Sequence, residues 1–335
     1  SPENLRWLVS YILEEGNIHE DFEFSFEGHP NNTTEEHLKT LFERGFRRVS
    51  FGVQDLDPKV QKTINRIQPL ENLVKVTTIA RDIGYDSISY DLIYGLPFQT
   101  SASMVSTMEK VLTLRPDRVS FYSYAHVPWI KPGQRGYEDA DLPSDVVKRQ
   151  LYEIGRAILK SEGYEDVGMD HFALRHDSLF TAQTNGKLHR NFMGYTTNET
   201  DLLIGLGTSA ISDAKYAYAQ NSKKVEEYAT SIFNSTLAVF RGHVQTSQDL
   251  LLKKCILELA CEGKIREQSI LDLKTDSVLP ALTKMNEEGI ISYNIDGFQV
   301  TDFGITFIRN ICSVFDFRMK ETGEKTSTNV FSKAI

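Results

Sequence analysis

Few cysteines, two tryptophans, no excess of basic charge and no long apolar run mark this chain of 335 residues, and each shortage removes a class of function. The three cysteines, Cys255, Cys261 and Cys312, form neither a CxxC pair nor a CxxxCxxC triplet. An odd, scattered set of this kind reads as reduced, buried thiols rather than as a disulfide framework. The formal net charge of -9 argues against a general nucleic-acid binder, which needs clustered Lys and Arg to neutralise phosphates. No apolar run approaches the roughly 18 to 20 residues that span a bilayer, and the first residues lack the basic-then-apolar layout of a secretory signal. A cytoplasmic monomer without a membrane span or a nucleic-acid partner is expected.

What is present is an ordinary globular composition, 40% hydrophobic and 25% charged, in a chain long enough for one large α/β domain and a smaller one. Over residues 21–125 short apolar strands alternate with amphipathic helices, the spacing of βα units around a parallel sheet. Strands are predicted at 22–27, 48–54, 87–94 and 118–124, and helices at 34–44, 103–114 and 146–162. A further helix opens at Asp57-Pro58, where Asp caps and Pro suits the first turn, and 74–83 continues or succeeds it. The start is abrupt: residues 4–14 read as a capped helix with no strand before it. A parallel unit normally has that strand, so the chain reads as truncated, with a helix-first protein as the alternative.

After Gly163 the pattern becomes irregular. The stretch 202–212 is apolar but interrupted by Gly205 and Gly207, which let another backbone or a ligand come close. From about Thr246 the chain turns helical, with helices at 248–262 and 278–288, a stop at Gly289, a hairpin over 290–300 turning at 294–297, and a last helix over 301–315. Two helices, a hairpin and a helix resemble a winged-helix module, which in an acidic chain suits a lid or docking domain better than a DNA reader. The tail from Lys320 is polar and is expected to be mobile.

In parallel α/β sheets ligands sit at the C-terminal ends of the strands. Those ends supply Glu27, Gln54, Asp91 and Ala125, three of them polar and all converging on one mouth. Arg66, in the Asn65-Arg66 pair beyond the helix that Asp57 opens, offers the positive charge that an amino-acid carboxylate or a phosphate requires. Two further stretches, GMDHFA (168–173) and LHRNFMGYTT (188–197), crowd Asp170, His171, His189, Arg190, Asn191 and Tyr195 beside small residues without a helical or strand period. They read as a binding surface or as an irregular loop whose polar groups satisfy one another.

The wording of these segments resembles the oxygen-independent coproporphyrinogen III oxidases, radical S-adenosylmethionine (SAM) enzymes of haem biosynthesis. DLIYGLPFQT (91–100) is similar to that family's fifth-strand motif, RVSFGVQDLDPKVQKTINRIQ (48–68) to its fourth strand and following helix, and FEFSFEGHP (22–30) to its third strand. In the last of these His29 stands where the family has Asp. The match runs from about residue 22 to 317, and GMDHFA with LHRNFMGYTT separates this branch from haem-chaperone-like relatives.

The resemblance implies an α/β fold: an incomplete radical-SAM-type (β/α)6 partial barrel over 1–165, an extension with SAM- and substrate-facing segments over 166–245, a mostly helical, winged-helix-like domain over 246–319, and a flexible tail over 320–335. It implies that Glu27, Gln54, Arg66 and Asp91 contact the first SAM and that Ala125 and Ile211 touch SAM through backbone or apolar edges. Asp170, His171, His189, Arg190, Asn191 and Tyr195 become candidates for a four-propionate porphyrinogen or a second cofactor, since Arg and His suit carboxylates.

The activity implied is oxidative decarboxylation of two propionates of coproporphyrinogen III to vinyls, giving protoporphyrinogen IX, through a 5′-deoxyadenosyl radical made by reductive cleavage of SAM at a [4Fe-4S] cluster. The electron donor stays open. Cluster ligation needs three close thiolates, and this sequence has none in that spacing, so the cluster is expected only in a longer protein and these residues alone are expected to be inactive. A non-catalytic haem- or porphyrin-binding protein of the same fold is the alternative. A third reading makes the C-terminal helices a regulatory interaction module.

Overall fold

Helix α1 (Pro2–Glu15) begins where the Ser1 hydroxyl accepts a hydrogen bond from the Asn4 amide at 3.3 Å and Pro2 presets the first turn. The computed structural model describes residues 1–273, 278–294 and 297–318. The centre of the expected hairpin turn, 295–296, and the polar tail from Lys320 lie outside the described residues. Two compact units are present, one formed by Ser1–Phe180 and one by the described residues from Thr181 on.

In the first unit strands and helices alternate: β1 (Phe24–Gly28), α2 (Glu35–Phe42), β2 (Phe46–Gln54), α3 (Pro58–Thr63), α4 (Leu70–Ile83), β3 (Ser87–Tyr94), α5 (Ser101–Leu112), β4 (Arg118–Ser123) and α6 (Asp145–Ser161). Two short strands follow, β5 (Tyr164–Gly168) and β6 (His171–Leu174), and then α7 (Ser178–Thr184). The six strands form one sheet in the order β1-β2-β3-β4-β6-β5. Neighbours among β1 to β4 are parallel, whereas β6 runs antiparallel to both β4 and β5. The four parallel strands and their helices are βα units of the kind expected from the sequence.

The pleat sorts side chains by chemistry. Val49, Phe51 and Val53 of β2 and Ile88, Tyr90, Leu92 and Tyr94 of β3 are buried in one core with Leu38 of α2, Leu73 and Val76 of α4, Met104 and Met108 of α5, and Leu151 of α6. Alternate residues face the other way, and nearly all of them are small or polar. The helices begin where their sequences stop them from starting earlier: Thr34 and Thr100 each form a reciprocal capping box, and Asp57 accepts from the amides of Lys59 and Val60 before Pro58 sets the first turn of α3.

Two sequence expectations change here. The segment that opens near Asp57 and the one at 74–83 are separate helices, α3 and α4. The stretch 168–173 is not irregular: β6 begins inside it, with Phe172 and Ala173 buried, because the exposed edge of β4 offers a hydrogen-bond ladder that a local reading of four residues does not reveal.

The second unit contains the hairpin of β7 (His189–Asn191) and β8 (Gly194–Thr196), and an antiparallel sheet of β9 (Ile211–Asp213), β10 (Ala217–Asn221) and β11 (Val239–Val244), with α8 (Val225–Phe233) between the last two strands. Gly205 is required by close approach, since a Cβ there would lie 2.7 Å from the Ile211 carbonyl oxygen. Then come α9 (Ser247–Glu262), β12 (Lys264–Arg266), α10 (Glu267–Leu273), α11 (Leu279–Glu287), β13 (Ile291–Asn294), β14 (Gly297–Val300) and α12 (Ile308–Ser313). The hairpin of β13 and β14 gains a third strand, β12, that the sequence pattern concealed. In place of one helix over 301–315 there is a 3-10 turn, Gly304–Phe307, and the short α12, because the Thr301 hydroxyl accepts from the Gly304 amide at 2.9 Å and pins the chain to the Gly289 carbonyl at 2.8 Å.

Candidate active site

The face of the parallel sheet opposite the core shared with α2, α4, α5 and α6 carries the candidate site. Across four strands the register aligns Glu27 with Ser50, Ser50 with Ser89, Gly52 with Asp91, and Asp91 with Ser120. Ser120 is in turn opposite His171 of β6, whose ring meets the Tyr122 ring edge-on at 5.8 Å. A carboxylate pair, three serines and a histidine therefore share one surface backed by an apolar core. Glu27 is exposed and Asp91 is half-buried. Burial pushes the Asp91 carboxyl up to about 6, and the Glu27 charge adds to that rise, while hydrogen bonds from Ser120 and Ser50 and the Arg66 charge oppose it. The Ser50 hydroxyl donates to Asp91 Oδ2 at 3.3 Å.

Arg66 reaches this face from the loop after α3. Its Nη2 donates to the Gly52 carbonyl at 2.8 Å and its Nε to Gln68 Oε1 at 3.2 Å. Gly52 leaves the space for it: a Cβ there would lie 2.8 Å from Arg66 Nη2 and 2.9 Å from Gln54 Nε2. Gln68 is itself fixed, donating from Nε2 to the Gly52 carbonyl at 3.1 Å and exchanging hydrogen bonds with the buried Gln61. The guanidinium is thus held in place before any ligand arrives.

Gln54 closes β2 with φ of 67°, a left-handed conformation costly for a residue with a Cβ, and a bulge interrupts the register between Gly52 and Gln54. The adjoining Asp55 is buried, which raises its carboxyl above the ordinary range, and it accepts from Gln99 and, at 3.1 Å, from Thr107. Gln99 also accepts from the amides of Gly95 and Leu96, so the GLPFQT turn is fastened to the end of β2.

Placement of the sequence candidates differs in detail from a simple row of strand ends. Gln54 ends its strand and Glu27 lies one residue before the end of β1. Asp91 is interior to β3, because that strand continues to Tyr94, and Ala125 lies two residues beyond β4. The Ala125 carbonyl accepts from Gln134 Nε2 at 3.0 Å, and Lys148 Nζ donates to the Tyr124 carbonyl at 2.8 Å. Asp170 is buried and its carbonyl accepts from the Phe121 amide at 2.7 Å. Glu27, Gln54, Arg66, Asp91 and His171 belong to the sheet face of the first unit.

His189, Arg190, Asn191, Tyr195 and Ile211 lie in the second unit. Tyr195 donates its hydroxyl to the Ala260 carbonyl at 2.8 Å and lies under the Arg190 guanidinium at 4.6 Å, and Asn191 Oδ1 accepts from the Met193 amide in the hairpin turn. His189 is half-buried in β7, opposite Thr196. Arg190, Asn191 and Ile211 line one cavity. The residues that sequence reasoning passed over are Ser50, Gly52, Ser120, Gln61 and Gln68. The strict alternation in Val49-Ser50-Phe51-Gly52-Val53-Gln54 already announced the first two.

The cysteines do not form an iron-sulfur site. Cys255 and Cys312 are buried and Cys261 half-buried, and burial pushes the Cys261 and Cys312 thiols up to about 12. Among the described residues no group of three His, Cys, Asp or Glu side chains is placed to hold a metal. The fit to SAM is different in kind: the preset Arg66 and the Glu27–Asp91 pair suit an α-amino acid carboxylate and ammonium.

Residues 2–111, which contain three of the four parallel strands of this sheet, match the radical SAM superfamily. An oxygen-independent coproporphyrinogen III oxidase from Helicobacter pylori strain J99 is 40% identical over 343 aligned residues, covering 100% of this chain and 74% of that protein. The enzyme of the same name from Escherichia coli K12 is 37% identical, covering 98% of this chain and 73% of that protein. A solved structure of coproporphyrinogen III oxidase from Escherichia coli, described as a radical SAM enzyme, superimposes with a TM-score of 0.90 at 37% identity, covering 95% of this chain and 75% of that one. The chain belongs to the family of oxygen-independent coproporphyrinogen III oxidases. Membership implies SAM and a [4Fe-4S] cluster as the family's cofactors. No helix among the described residues is long and apolar enough to cross a membrane.

Proposed function

We propose that this chain binds SAM on the polar face of its first unit and presents coproporphyrinogen III for oxidative decarboxylation of two propionates to vinyl groups, giving protoporphyrinogen IX. The observation that carries the reading is the preset Arg66 beside Asp91 and Glu27 on an otherwise apolar-backed sheet. Arg66 pairs with the methionyl carboxylate, and Asp91 with Glu27 takes the ammonium or the ribose hydroxyls. When bound and reductively cleaved, SAM supplies the hydrogen-abstracting chemistry.

The chain's own residues bind, orient and adjust protonation. A cation seated beside Asp91 draws its raised pKa down, so binding at pH near 6 releases a proton from that carboxyl. Ala125 contributes backbone contacts, and His171, whose ring sits against Tyr122, borders the same face as Asp91. No step is assigned to a cluster, since the three cysteines do not fit one.

Calorimetric titration of the chain with SAM tests this. Saturable binding is expected for the wild type and at least about tenfold weaker binding for Arg66→Ala, the loss of a charge-assisted hydrogen-bond pair. Equal binding by the two proteins would remove Arg66 from the site.

A further inference from the structure

The second unit holds a cavity of about 710 Å³, within the range of cofactor and substrate sites. Its apolar lining includes Leu252, Ile256 and Phe315, and four Arg and Lys side chains and three carboxylates line it as well. That is a local excess of positive charge in a chain of net charge -9. Two of the cations are already committed. Lys253 Nζ lies 2.6 Å from Asp213, and Arg318 bonds Asp249 through two nitrogens at 2.9 Å each.

Arg190 and Arg241 have no carboxylate partner among the described residues. Arg241 is exposed and donates only to the neutral Gln220 Oε1, at 2.8 Å. Arg190 Nη1 is buried without a hydrogen-bond partner, a cost that persists unless an acceptor is supplied from outside. Two unmatched guanidiniums in a cavity that is also lined by apolar side chains fit a flat, apolar molecule that carries several carboxylates.

We infer that this cavity seats the tetrapyrrole, with Arg190 and Arg241 each taking one propionate carboxylate and the ring packed against the apolar lining. The inference rests on the proposed substrate.

Fluorescence titration with coproporphyrin III, the stable oxidised form that keeps four carboxylates, and with its tetramethyl ester tests the assignment. Arg241→Gln is expected to weaken binding of the acid about tenfold or more, Arg241→Lys to weaken it less, and the ester to bind weakly and equally to all three proteins. Because Arg241 is exposed, its variants retain the fold, and Arg190→Gln provides a second reading where it also folds. Acid binding unchanged in Arg241→Gln, or ester binding as tight as acid binding, overturns the inference and leaves the proposed function standing. Absence of coproporphyrin binding by the wild type overturns both.

Discussion

Asp91 shows how a single residue joins stability to binding. Its carboxyl is pushed up to about 6 against an ordinary value of 3.8, so between those values the folded chain holds a proton that the unfolded chain has released. Stability therefore falls as pH rises through this window, and above it the native state carries a charge cost of about 3 kcal/mol at pH 7.5, reduced to about 1 kcal/mol at pH 4.5. Asp91→Asn removes the charge, and urea denaturation is expected to show the variant more stable at pH 7.5 with most of the gain lost at pH 4.5. A wild type as stable as the variant at pH 7.5 would mean that Asp91 is not held against its preference. Gln54, left-handed at 67°, is a second place where the site carries strain. Glu27, Arg66 and Asp91 were legible from sequence because alternation and motif wording both mark them, whereas the bonds by which Gln61 and Gln68 preset Arg66 depend on a loop geometry that no periodicity encodes.

At the scale of elements, the parallel strands were legible because each pairs a short apolar run with a capped amphipathic helix, as in Thr34 with α2 and Thr100 with α5. The hairpin of β5 and β6 was not, since strands of five and four residues owe their form to the edge of β4. A buried ion pair stands at this addition: Arg118 of β4 donates from Nε to Asp177 Oδ1 at 2.6 Å, and Asp177 also accepts from Ser87 at 2.9 Å and from the Leu179 amide at 2.7 Å. Both side chains are almost wholly buried, 5% and 1% exposed. Removing one partner leaves the other charge uncompensated, so Arg118→Met is expected to destabilise by about 3 to 5 kcal/mol, and adding Asp177→Leu to recover much of that loss. Thermal denaturation of the two variants reads both values. A double variant no more stable than the single one would show that the pair does more than neutralise itself.

For the whole molecule the decisive feature is an imbalance between the two halves of the family's chemistry. The features proposed to receive SAM and substrate are in place: a preset arginine, a carboxylate with raised pKa, and a cavity with unmatched guanidiniums. The thiolates that hold a cluster are not among these residues. Cys255 Sγ lies 3.9 Å from the Ser269 carbonyl and Cys312 Sγ 4.0 Å from that of Ile256, in each case a carbonyl of a neighbouring helix. With the Cys261 and Cys312 thiols up at about 12, thiolate is scarce at neutral pH, and a cluster needs deprotonated sulfur at close spacing. This much followed from sequence, because three cysteines at 255, 261 and 312 cannot make a CxxxCxxC loop; their burial is what structure adds. Anaerobic reconstitution of the 335 residues with iron and sulfide is therefore expected to leave far less than one cluster per chain, with no turnover of coproporphyrinogen III, while SAM titration still reports a pocket. Joining a segment with three closely spaced cysteines in the family's CxxxCxxC pattern is expected to bring iron and sulfide to stoichiometry. Stoichiometric, SAM-responsive cluster in the unaltered chain would place ligands where the described residues offer none.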